Sequence, residues 1–207
     1  MNTDQLSATL SKYVPERAVS ICIDWILKYR ISVRITKTRM SKYGDYSPPS
    51  GNKGHHISVN HELNPFSFLL TFTHEVAHLV TWNKYQNRVE SHGVEWQLEY
   101  KQLVDPLIKS GMFPNDITLQ LNRHFRKPKA TSCSDIELTR VLNRYNTKLD
   151  SWIHLEEIEI NENFRIRSGR IFKKGMKRRK NYSCQELQNN HFYYINPLTE
   201  VQKVDDI

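Results

Sequence analysis

Two histidines four residues apart, with a glutamate after the first, stand at His74-Glu75-Val76-Ala77-His78. On a helix, positions i and i+4 lie one turn apart on the same face, so both imidazoles can address one ion. Glu75 is offset by one residue and is free of the ligand role. From there it can take a proton from a water held at the ion. A catalytic zinc takes three protein ligands and keeps one position open. His92, in Ser91-His92-Gly93-Val94-Glu95-Trp96, is the best-placed third ligand. The expected centre is a single Zn2+ held by His74, His78 and His92, with Glu75 as general base.

The elements around these residues must position them. Asn64-Pro65 reads as an N-cap and first helical residue, and the apolar run from Phe66 to Phe72 fits a buried helix continuing to about Trp82. A second helix is expected from His92 to about Leu107, capped by Ser91. Its stripe of Trp96, Tyr100, Leu103 and Val104 would pack so that His92 reaches back to the metal. Asn83–Glu90 is a polar connection between the two. Upstream, residues 3–30 read as two helices divided at Pro15, with Cys22 and Trp25 as core. Ile31–Thr36 and His55–Asn60 read as strands, and the turn-rich stretch Arg39–Gly54 as an irregular hairpin. The His55–Asn60 strand is the expected sheet edge beside the cleft, onto which an extended peptide would add. His55 and His56 read as surface residues. Tyr43, Tyr46 and His56 are candidates for stabilising an oxyanion, and each also has an ordinary structural reading.

The chain has 30 Lys+Arg against 22 Asp+Glu, a net charge of +8. Most of the excess lies after residue 105, where 18 basic face 12 acidic side chains. Arg165, Arg167, Arg170, Lys173, Lys174, Lys177, Arg178, Arg179 and Lys180 form a run without an acid, interleaved with Phe164, Phe172 and Tyr182. That is an electrostatic footprint for a phosphate backbone with candidate stacking rings. No base-reading pattern accompanies it, so recognition without sequence specificity is expected. Three widely spaced cysteines with no C-x-x-C argue against a disulfide framework and for a reducing compartment. No signal-like start and no membrane-length apolar run occur. The expectation is a cytoplasmic protein, nucleoid-associated in a bacterium.

The pattern weakens from Lys109 to Thr131, and a domain boundary is placed near Arg126. A short helix follows from Asp135, then short strands between Leu155 and Tyr194.

Taken together, His74–His78, His92–Trp96, the strand Ile57–Asn60 with Leu63-Asn64-Pro65, and the preceding Arg39–Tyr46 stretch resemble the SprT-like zinc metallopeptidase family. The resemblance covers roughly residues 15–110. It implies an α+β fold, with a small zincin-like domain of helices and a short antiparallel or mixed sheet over residues 1–125. It implies a zinc endopeptidase whose substrates are proteins associated with or crosslinked to DNA. Many members carry a C-terminal four-cysteine zinc ribbon. Here only Cys133 and Cys184 stand in that region, so residues 126–207 are expected to form a basic, β-rich, degenerate ribbon without metal. The spacing gives no support to His124, His154 or His191 as partners of these cysteines. The alternatives are a nucleic-acid-associated accessory protein that keeps the scaffold with little peptidase activity, and a zinc hydrolase of non-protein substrates.

Overall fold

The computed structural model describes residues 3–37, 42–126, 135–146 and 152–204. Six α-helices and two sheets occur among them, an α+β architecture, and no helix there is long and apolar enough to cross a membrane. Residues 1–146 form one compact unit and residues 147–207 a second.

In the first unit α1 (Thr3–Leu10) and α2 (Val19–Tyr29) flank Pro15, as the sequence predicts. Cys22 is wholly buried in the core. Strands β1 (Ser32–Thr36), β2 (Gly44–Ser47) and β3 (His56–Asn60) form a sheet in the order β1-β3-β2. β1 runs parallel to β3 with Val33 opposite Ile57, and β2 runs antiparallel to it with Tyr46 opposite Ile57. The strand expected at the sheet edge, His55–Asn60, is therefore the central one, and β2 holds the edge. Ile57, Ser58, Val59 and Asn60 are all buried, which is what a strand covered on both faces and paired on both sides gives. Arg39, Met40 and Ser41, part of the expected hairpin, lie outside the described residues.

α3 (Pro65–Tyr85) carries the histidine pair. The Asn64 side chain accepts from the Phe66 and Ser67 amides, at 3.1 and 2.9 Å, with Pro65 at the first helical position. This satisfies two of the donors a helix N-terminus leaves unpaired. The helix runs one turn past Trp82 and stops at Gln86, whose φ of 55° no helix accommodates. A 3-10 turn, Gln86–Arg88, fills much of the expected polar connection. α4 (Val94–Lys109) begins after Gly93 rather than after Ser91. His92 therefore sits in the connection, just ahead of the helix that Trp96, Tyr100, Val104 and Leu107 bury.

α5 (Asn115–Arg126) was not anticipated. It buries Ile117, Leu121 and His124, a spacing of four and three residues. α6 (Ile136–Asn143), N-capped by Asp135, belongs to this unit. The division thus falls after Asn146 rather than near Arg126. Polar contacts hold α6 there: Asn64 Nδ2 donates to Leu142 O and to Asn146 Oδ1, Tyr145 donates to Asp116, and buried His124 faces Asp135 at 3.0 Å.

The second unit is one antiparallel sheet in the order β4-β9-β5-β6-β7-β8. Its strands are β4 (Ile153–His154), β5 (Asn163–Ile166), β6 (Ile171–Arg178), β7 (Asn181–Glu186), β8 (Phe192–Ile195) and β9 (Glu200–Val204). Ile158 and Ile160, expected on a strand, follow the 3-10 turn Leu155–Glu157 instead. The core is small: Leu155, Ile158, Phe164, Phe172, Cys184 and Val201. A core of this size is thin for about 60 residues, and buried polar pairs supplement it, as described below.

Candidate metal centre

The Nε2 atoms of His74, His78 and His92 converge. His78 lies 3.2 Å from His74 and 3.1 Å from His92, and His92 lies 3.2 Å from His74. Three nitrogens bonded to one tetrahedral ion at about 2.0–2.1 Å stand about 3.3 Å apart. The observed triangle is within a few tenths of an ångström of that. Without an ion, lone pairs would face one another. With one, each lone pair has a partner. The cluster can hold a metal ion, and it is the one such group of three or more His, Cys, Asp or Glu side chains among the described residues.

Two of these imidazoles come from one turn of α3, and the third enters from the connection before α4. One indole fixes all three rings. Trp96, 1% exposed, lies with its ring centre 4.6 Å from that of His74, 5.2 Å from His78 and 4.7 Å from His92. Tyr100 stacks on that indole at 5.0 Å and also meets the His74 ring edge-on at 5.7 Å. The His74 Nδ1 is buried and makes no hydrogen bond among the described residues, so packing against Trp96 sets its ring orientation. The sequence pattern marks Trp96 as core. The structure makes it the floor of the site.

The imidazoles are poised to be neutral, as metal ligation requires. Burial, with the charges of His78 and His92, lowers His74 to about 3. Burial and His92 lower His78 to about 4, against a small opposing pull from Asp45. Burial also lowers His92.

The three imidazoles open into a cleft of about 310 Å³ lined also by Gly44, Asp45, Tyr46, Glu75 and Ser91. Glu75 is 6% exposed and sits beside the histidine triad. Edge strand β2 passes so close to it that a Cβ on Gly44 would stand 2.6 Å from Glu75 Oε1 and 2.7 Å from Thr71 Cγ2. Glycine is required there by space. Asp45 is paired with Lys42 at 2.5 Å. Of the three oxyanion candidates only Tyr46 lines the cleft, and its hydroxyl lies 3.0 Å from His55 Nδ1. Burial raises the Tyr46 pKa, so the phenol stays protonated.

The basic run lies wholly in the second unit, and the structure divides it. Lys174 is 3% exposed and cannot meet a phosphate: its Nζ donates to Glu156 O and Ile158 O and lies 4.1 Å from the centre of the Tyr182 ring. Arg170 makes a two-pronged pair with Glu186, at 2.6 and 2.7 Å, and lies over Tyr193. Arg167 pairs with Glu200 at 2.7 Å and covers Trp152. Arg165 and Lys173 are exposed on β5 and β6, and Lys177, Arg178, Arg179 and Lys180 are exposed where β6 turns into β7. The candidate stacking rings Phe164 and Phe172 are buried against each other at 5.7 Å. Tyr182 is half-buried.

Cys184 lies in the core of this sheet and Cys133 lies outside the described residues. His124 is buried against Asp135, and His154 faces Glu157 at 3.6 Å.

Comparison with protein-family models, with curated proteins and with solved structures returns no significant match.

Proposed function

We propose that the chain is a zinc-dependent endopeptidase of the SprT-like kind that cleaves proteins associated with or crosslinked to DNA. The observation that carries this reading is the placement of Glu75 in the same cleft as the three converging imidazoles, beneath the edge strand β2. In this reading the three-stranded sheet with α3 is a small zincin-like domain.

Zinc, when bound, supplies Lewis acidity and a water of lowered pKa. The chain's own residues do the rest. His74, His78 and His92 present neutral nitrogens to the ion. Glu75 takes the proton of the attacking water and passes it to the departing amine. The outer edge of β2 offers unpaired backbone donors and acceptors to an extended stretch of substrate, which recognises main chain rather than sequence. This is the edge role first assigned to the His55–Asn60 strand, moved to its neighbour. The C-terminal unit acts as a degenerate ribbon, with Cys184 in its core and a basic hairpin end directed to DNA.

Glu75→Gln tests the reading. It removes the base and leaves the ligands, so zinc content is expected to stay at one per chain. Casein cleavage is expected to fall on the order of a thousandfold. Full activity in that variant would refute the role of Glu75. A zinc-loaded wild type that cleaves neither casein nor DNA-crosslinked protein would leave the accessory-protein alternative.

A further inference from the structure

We infer that Tyr46 is the hydrogen-bond donor to the scissile carbonyl oxygen as it gathers charge, and that His55 is the residue that positions it. This deepens the peptidase reading and rests on it. Neighbouring residues of a strand face opposite sides of the sheet. A Cβ on Gly44 would point at Glu75, so Tyr46, two residues on, projects to the same side. Its cross-strand partner Ile57 shares that side, and so does His55, two residues before Ile57. Tyr43, whose carbonyl accepts from Asn60 N in the continuing ladder, and His56 fall on the opposite side. Of the three candidates, alternation therefore leaves Tyr46.

On α3, Glu75, His78 and Trp82 recur at helical spacing and share one face. The sheet lies along that face. Gly44 sits over Glu75 at one end, and His55 meets Trp82 edge-on at 5.6 Å at the other. Tyr46 falls between them and lines the cleft with His78. The carboxylate and the phenol thus flank the histidine cluster from opposite ends of one strand. His55 is held by more than the phenol. Its carbonyl accepts from Ser32 N at 2.8 Å, Trp82 packs against its ring, and the Tyr46 ring stacks on it at 6.0 Å with the planes 23° apart. Its Nδ1 stands 3.0 Å from the Tyr46 hydroxyl. A phenol oxygen can accept one hydrogen bond and donate another. Accepting from His55 Nδ1–H leaves the hydroxyl proton for the cleft. Burial lowers the His55 pKa, so the imidazole is neutral, and raises that of Tyr46, so the phenol keeps the proton it has to offer. A donor fixed before the reaction needs no reorganisation when charge develops.

The test uses the full-length, zinc-loaded chain, a peptide substrate, and a phosphinic peptide whose phosphinyl oxygen stands where the charged oxygen forms. Tyr46→Phe removes one hydroxyl. It is expected to keep its zinc and the wild-type KM and to lower kcat about a hundred- to a thousandfold. By calorimetry it should bind the phosphinic peptide more weakly by the same factor. His55→Leu should lower kcat in the same way with KM unchanged. His55→Asn, whose amide can donate from near the place of Nδ1, should recover most of the loss. In wild type, side-chain 15N spectra should show His55 protonated on Nδ1, with and without the phosphinic peptide. A Tyr46→Phe variant with wild-type kcat would overturn the inference, as would a His55 protonated on Nε2 alone in the phosphinic complex. A His55→Asn no better than His55→Leu would remove His55 from the positioning role. The two readings separate cleanly: a wild type that neither cleaves peptide nor binds the phosphinic peptide sinks the peptidase reading and this inference with it, whereas an active wild type matched by Tyr46→Phe sinks this inference alone.

Discussion

Gly44 and Glu75 are in contact across two elements: a Cβ on the glycine would lie 2.6 Å from the carboxylate oxygen Oε1. The edge strand thus seats the Glu75 carboxylate, the general base of the proposed reaction, and any side chain at position 44 displaces it. Gly44→Ala is expected to keep its zinc and its melting temperature to within a few degrees. A shift of about 1 Å at the reacting group lowers turnover on the order of a hundredfold. Steady-state kinetics on a peptide substrate should show the loss in kcat with KM little changed. A kcat equal to wild type would show that Thr71 and Glu75 yield without consequence.

The proposed metal site depends on His92. His92 Nε2 is 3.1 Å from that of His78, and a two-histidine site lacks the ligand count of a zinc centre. Metal analysis is expected to give one zinc per wild-type chain, none in dialysed His92→Ala, and one in Cys184→Ala. Zinc that vanishes with Cys184 would place a second centre in the C-terminal unit.

Acid stability of the C-terminal unit should depend on Glu186. Arg170, with Asn189 assisting, holds its carboxyl at about 2, below the ordinary 4.5. A carboxylate whose pKa is lowered on folding stabilises the fold above 4.5. That contribution drains away as pH falls from 4.5 toward 2. Thermal melts of wild type should therefore drop across this window. Glu186→Gln should be less stable near neutrality and show a flatter profile below pH 4.5. Parallel profiles in the two proteins would deny the pair this role.

Lys174 is the other polar element of that small core. Its Nζ supplies the donor for Glu156 O and Ile158 O. Lys174→Met keeps the apolar stem but strands the two carbonyls, at about 1–3 kcal/mol. Chemical denaturation of the C-terminal unit should show a midpoint lowered accordingly, with DNA binding retained at temperatures where the sheet is folded. A loss of DNA affinity in the fully folded variant would instead mean that Lys174 reaches phosphate.

The centre was readable because its signals are local. His74, Glu75 and His78 lie within one turn of a helix whose start Asn64-Pro65 announces, and both cap contacts form. His92 is a matter of reach, and spacing alone nominated it. What escaped depended on distant pairing. Nothing in Ile57–Asn60 says that it has a neighbour on each side, because the partners are β1 and β2. The β9 strand Glu200–Val204 is mostly polar and gains its order from β4 and β5. α5 did have a signal in Ile117, Leu121 and His124, diluted by exposed Leu119 and a basic end. Lys174 was counted with its charged neighbours, although it lies two residues from Phe172 and therefore on the inward face.

Trp96 touches all three imidazoles with one ring. A dication held by those imidazoles would be the strongest local charge in the site, and its field would cross the indole. The ring's excited-state dipole responds to that field, so its absorption and emission shift with occupancy. Trp96 would therefore serve as an intrinsic optical gauge of an ion at this cluster, readable during a titration without substrate, label or added indicator.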